Sequence, residues 1–138
     1  MKELLSANTC TQIVNQEWHI ALSKQKVSRF IDQLCDSSLV QAEVLTIISE
    51  LGYNLFFHTE SGGKICVEHL FKYNRRGIMI ESTDSGPGIK NIDLCMQDGF
   101  STNGGLGGGL PGIKRLSDEF YIESYMGGTR VKCVKWFN

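Results

Sequence analysis

The chain has 138 residues, 41% hydrophobic and 21% charged, with a net charge of -1 at pH 7, the size and makeup of a single globular domain spanning 1–138. That balance leaves no basic stripe for nucleic acid, and no apolar run approaches the roughly 20 residues of a membrane span. The start Met1-Lys2-Glu3-Leu4-Leu5 has no apolar signal-peptide core, so a cytoplasmic protein without nucleic-acid or membrane partners is expected.

Thr11 to Trp18 alternates polar and apolar residues and predicts a first strand. His19 to Asp36 carries Ile20, Val27, Phe30, Ile31 and Leu34 at helical spacing. Ser37 and Ser38 can cap a second helix, from about Leu39 to Thr59, with the stripe Val40, Val44, Ile47, Ile48, Leu51 and Leu55. Lys64 to Tyr73 and Gly77 to Thr83 alternate as strands about a turn at Asn74-Arg75-Arg76-Gly77. Asn91 to Gln97 is at most a short helix, and Gly99 to Gly109 reads as a loop. Leu110 opens a helix with Pro111 in its first turn, where a missing N–H costs little. Glu119 to Met126 and Thr129 to Phe137 close the chain as a hairpin about Gly127-Gly128. This order predicts an α/β two-layer sandwich, its sheet mixed but mostly antiparallel, with helices on one face.

Five cysteines stand far apart with no C-x-x-C pair, which argues for reduced thiols, buried at Cys35, Cys66 and Cys133, and against a zinc site.

Four short stretches can carry chemistry. Glu50 and Asn54 lie four apart on one helix face, at the edge of the apolar stripe. They either meet solvent or point into a cleft, where a neutral carbonyl oxygen suits a hard cation and a carboxylate can take a hydroxyl proton. Asp84-Ser85-Gly86-Pro87-Gly88 is a tight turn or a ligand loop after a strand. Gly104 to Gly112 is no Walker A loop, since no Lys with Ser/Thr follows its last glycine, and its G-x-G-x-x-G has no strand leading in. It fits a lid before a helix whose N-terminal N–H groups face phosphate; Lys114 and Arg115 then either approach phosphate or remain surface charge. His58, one turn past Asn54, reads as a core histidine.

The order and spacing of Ile48–Leu55, Asp84–Ile89, Asp98–Leu116 and Gly128-Thr129 resemble the four boxes of the GHKL (Bergerat) ATP-binding fold. That family includes histidine kinases, gyrase-type ATPases and anti-sigma serine kinases. The resemblance implies ATP and Mg²⁺, with Asn54 holding the metal and Glu50 acting as general base. It implies that Asp84 accepts from the adenine amine, that Gly86 and Gly88 approach the base, and that Thr129 adds a hydroxyl there. Gly104, Gly105, Leu106, Gly107, Gly108, Gly109 and Leu110 would form the lid and helix start around phosphate.

The run Asp98-Gly99-Phe100-Ser101-Thr102 through Gly112-Ile113-Lys114-Arg115-Leu116, with Asp118-Glu119-Phe120 and Val134-Lys135-Trp136-Phe137, resembles the RsbT-type serine/threonine kinases of bacterial stressosomes. This implies transfer of the ATP γ-phosphoryl to STAS-domain scaffold proteins, followed by activation of a downstream PP2C-type phosphatase. One departure is Gly52-Tyr53, where related kinases commonly have Ala-Arg. The glycine either permits close packing or weakens the helix by roughly 1 kcal/mol. Two competing readings are a non-catalytic ATP-dependent module that sequesters a regulatory partner, which would not need Glu50, and the catalytic part of a histidine kinase. The latter ranks last because no dimerisation helix with a phospho-acceptor His precedes the expected domain. Gyrase-type ATPases are set aside by size.

Overall fold

The computed structural model describes residues 8–84, 86, 109–125 and 127–137. Strand β1 (Thr9–Val14) leads into helices α1 (Trp18–Asp32) and α2 (Ser38–Phe57). The hairpin β2 (Gly63–Lys72) and β3 (Arg75–Asp84) follows, then α3 (Gly109–Leu116), β4 (Glu119–Tyr125) and β5 (Gly128–Trp136). The sheet order is β1-β2-β3-β5-β4, and its four strand pairings are all antiparallel. The expected element order holds, and no parallel pair occurs among the described residues.

Strand periodicity decides which face is buried. Val14, Ile65, Val67, Ile78, Ile80, Val131 and Cys133 lie on one face by register and are buried. They form a single core with Val27 and Ile31 of α1, Val44, Ile47, Ile48, Leu51 and Leu55 of α2, and Ile113 of α3. The other face carries charge, with Arg130 between Glu81 at 3.5 Å and Glu123 at 2.8 Å.

Several expected boundaries move, each for a local reason. The first strand lies at Thr9–Val14, and Trp18 opens α1 instead of ending the strand. The α1 N-terminus gets no side-chain cap from Glu17; the His19 ring folds back, its Nδ1 accepting the N–H groups of Asn15 and Gln16. α1 ends at Asp32, with Cys35 N–H still bonding back to the Ile31 carbonyl. Ser37 rather than Ser38 caps α2, accepting the Val40 N–H at 3.2 Å.

The central hairpin turns at Tyr73 and Asn74, both at positive φ (55° and 61°), with Lys72 opposite Arg75. This two-residue turn matches strand twist, so the Arg75-Arg76 pair belongs to β3. Gly77, expected both to close the turn and to open the strand, lies within the strand, where a Cβ would come within 2.7 Å of the Trp136 ring. His58 is exposed at the α2 C-cap, its N–H bonded to the Asn54 carbonyl; the helix ends before its periodicity can bury it. Cys35 and Cys133 are buried as expected, whereas Cys66 is half-buried on the open face of the sheet. Burial pushes the Cys133 thiol up to about 11. The expected helix at 91–97 and the loop up to residue 108 lie outside the described residues.

Two contacts set the position of α2. A Cβ at buried Gly52 would meet Ile20 Cγ1 and Cγ2 at 3.3 Å, so the glycine serves close packing of α2 on α1. At the other end, Glu43 Oε1 lies 3.0 Å from Nζ of the buried Lys135 in β5. Glu43→Ala strands that ammonium and should cost about 1.5–3 kcal/mol, read as a lower Tm. The double variant Glu43→Ala/Lys135→Met should recover much of the loss, because no unpaired charge remains. A single variant that melts with the wild type would show that the pair does not anchor the helix.

Candidate active site

The site is built where the second half of α2 crosses the end of the sheet. Val14 of β1 pairs with Gly63 of β2, Gly63 with Asp84 of β3, Asp84 with Thr129 of β5, and Thr129 with Ser124 of β4. Cross-strand partners share a face, so this row lies on the helix side. Gly63 leaves room in the row for α2: a Cβ there would lie 2.8 Å from Leu55 Cδ2 and 2.1 Å from the Thr83 carbonyl oxygen. The turn that carries Asn54 therefore sits over the Asp84 end of the sheet. Glu50 lies one turn back on the same flank.

The local environments differ sharply. Glu50 is 2% exposed, while Asn54 is half-buried. Burial excludes the solvent reading for Glu50. Half-buried Asp84 turns Oδ1 onto the Gly86 N–H at 2.8 Å. That local turn fixes the carboxylate and leaves its other oxygen for a donor. Thr129, directly opposite, is 7% exposed. The start of α3 is also interior: Gly109, Pro111 and Gly112 are buried, Leu110 is half-buried, and Ile113 enters the core. Lys114 and Arg115 are exposed on α3.

Of the expected site residues, the structure thus gathers Glu50, Asn54, Asp84, Gly86 and Thr129, with Gly109 and Leu110 at the start of a helix packed on α2. Gly88, Gly104, Gly105, Leu106, Gly107 and Gly108 lie outside the described residues. Chemically the arrangement offers an oriented carboxylate acceptor beside a hydroxyl, a neutral amide, and an interior carboxylate one turn away. Among the described residues the Asn54 side chain has no protein hydrogen-bond partner. A neutral amide oxygen beside a nucleotide is a fitting ligand for Mg²⁺, which needs only one or two protein ligands when substrate phosphates supply others.

No protein-family model matches the chain. The serine/threonine-protein kinase RsbT of Bacillus subtilis is 39% identical over 133 residues, covering 96% of this chain and 98% of the relative. The chain belongs to the RsbT family of serine/threonine-protein kinases. An anti-sigma F factor of Clostridium kluyveri is 25% identical over 131 residues, 92% of each protein. A crystal structure of the RsbU and RsbW domains of a Mycobacterium tuberculosis protein superposes with a TM-score of 0.64 at 15% identity, over 91% of this chain and 31% of that one. That likeness concerns the fold, and with it the GHKL-type two-layer sandwich expected from the sequence stands.

In this RsbT-family kinase one further interior polar residue, Ser82, stands outside the sequence motifs. It lies on β3 two residues before Asp84, on the same face, and is 5% exposed. The signal was available: Ile78, Ile80, Ser82 and Asp84 alternate inward, and a hydroxyl at an inward strand position calls for a partner.

Proposed function

We propose that the chain transfers the γ-phosphoryl of ATP to a serine or threonine of a STAS-domain stressosome scaffold protein in the cytoplasm. Loss of that partner then frees it to activate a PP2C-type phosphatase. The observation that carries this reading is the placement of half-buried Asn54 over the end of the sheet that holds Asp84 and Thr129, with interior Glu50 one turn back on the same helix. Membership of a serine/threonine kinase family and likeness to an anti-sigma F factor support it. Among the described residues no helix is long and apolar enough to cross a membrane.

In this reading Asp84 accepts from the adenine amine, with Gly86 and Gly88 close to the base and Thr129 at its edge. Gly104 to Leu110 cradle the phosphates at the start of α3, where backbone N–H groups favour anions. Asn54 would hold Mg²⁺, which would supply charge neutralisation for the transfer. The partner's hydroxyl oxygen attacks the γ-phosphorus as its bond to the bridging oxygen breaks, and Glu50 takes the hydroxyl proton. ADP and a phosphorylated partner leave. Positioning and charge neutralisation do most of the work in such transfers, so one base and one metal ligand suffice.

Chromatography with light scattering tests the cycle. The chain and a co-encoded STAS-domain protein should elute as a complex without nucleotide and separate on addition of Mg-ATP, because a new dianionic phosphate disrupts the contact. A non-hydrolysable ATP analogue should leave the complex intact. Equal release by the analogue would favour a nucleotide-gated binding module, and no complex in any state would remove the STAS assignment.

A further inference from the structure

The hydroxyls of Ser82 and Thr129 present an unusual combination. Both residues are more than nine-tenths buried, and neither side chain has a protein hydrogen-bond partner among the described residues. Among those residues every fully occluded side-chain N or O atom does have a partner. Each of the two hydroxyl oxygens therefore keeps a small accessible surface, on the sheet face that also carries Asp84. Ser82 makes no side-chain hydrogen bond within the fold, so alanine would serve the fold at least as well at position 82, between the apolar cross-strand neighbours Ile65 and Val131.

Register places Ser82 in line with the base-reading carboxylate. It precedes Asp84 by two residues on one face and lies diagonally across from Thr129, the partner of Asp84. Diagonal neighbours of this kind are about 7–8 Å apart at the backbone, a span that one water or one polar ligand edge can bridge between two hydroxyls.

We infer that Ser82 is a further specificity-determining residue: its hydroxyl completes the recognition of the 6-amino edge of adenine, through a water shared with Asp84 and Thr129. This rests on the ATP reading above and deepens it. Ser82 is interior in the apo protein so that the ligand, and not the fold, supplies its hydrogen bond.

The test sets two readouts of opposite sign against each other. Ser82→Ala should bind ATP about threefold to tenfold more weakly, by calorimetry, while its nucleotide-free Tm stays level or rises. Purine riboside triphosphate, which lacks the amine, should bind the variant and the wild type equally. Unchanged ATP affinity in the variant overturns the inference. An equal loss for both nucleotides overturns it too, since the hydroxyl would then only shape the pocket. A lower apo Tm would assign Ser82 to the fold. Wild-type protein that binds no ATP removes the nucleotide reading itself, a result distinct from all of these.

Discussion

Glu50→Gln is expected to slow phosphoryl transfer by about 10²–10⁴, the range for a lost general base, with MgATP affinity nearly unchanged. The glutamine keeps the volume of a side chain that is 2% exposed, so the core around Ile47, Ile48 and Leu51 should not collapse. What disappears is the carboxylate proposed to take the partner's hydroxyl proton. Asn54→Ala should behave differently. Its amide is proposed to ligate Mg²⁺, so binding of MgATP and transfer should be lost together, while nucleotide without metal is little affected. Single-turnover transfer measured beside equilibrium binding separates the two residues. A Glu50→Gln protein that phosphorylates its partner at the wild-type rate would remove the base assignment but not the fold. Loss of MgATP binding in the same variant would instead place Glu50 in the nucleotide contacts.

Residues whose role depends on local spacing were legible in the sequence. The α2 stripe Val44, Ile47, Ile48, Leu51 and Leu55 is buried as its periodicity requires, and Ser37 caps it. The strand order within each hairpin followed from alternation alone. Other features were illegible because they depend on what lies across the fold. Gly77 looked like turn punctuation, yet its lack of a side chain makes room for the Trp136 ring, a residue 59 positions away by the numbering. The turn went instead to Tyr73 and Asn74, since tertiary pairing of β2 with β3 outweighed the usual preference for glycine at positive φ. Gly52 could be either a weak point or a contact until Ile20 was found against it.

The site divides in the same way. Motif order singles out Glu50, Asn54, Asp84 and Thr129 as candidates, and the register makes Asp84 and Thr129 direct neighbours, which spacing could not specify. Ser82 carries its signal in the alternation of β3, upstream of the turn motif that begins at Asp84.

Asp84→Asn should weaken ATP binding by about tenfold to a hundredfold, the loss expected for a charge-assisted hydrogen bond of roughly 1.5–3 kcal/mol. It should also shift preference towards GTP and ITP. The direction follows from the Asx turn at the end of β3. Oδ1 is committed to the Gly86 N–H at 2.8 Å, and only an oxygen can accept there, so a substituted amide would keep its oxygen on Gly86. Its NH₂ group would then occupy the position of the free carboxylate oxygen. Facing adenine, that group sets donor against donor at the 6-amine. Facing guanine or hypoxanthine, it meets a carbonyl that accepts. In the wild type the polarity would be reversed: on the proposed reading the carboxylate would accept from adenine and repel the guanine carbonyl, so ATP should bind well ahead of GTP. Competition calorimetry with ATP, GTP and ITP on both proteins reads all of these effects. Equal affinity of the wild type for ATP and GTP would end the assignment of Asp84 to the base. If ATP binding weakens with no gain for ITP, the carboxylate reads the amine without the Gly86 bond fixing its orientation.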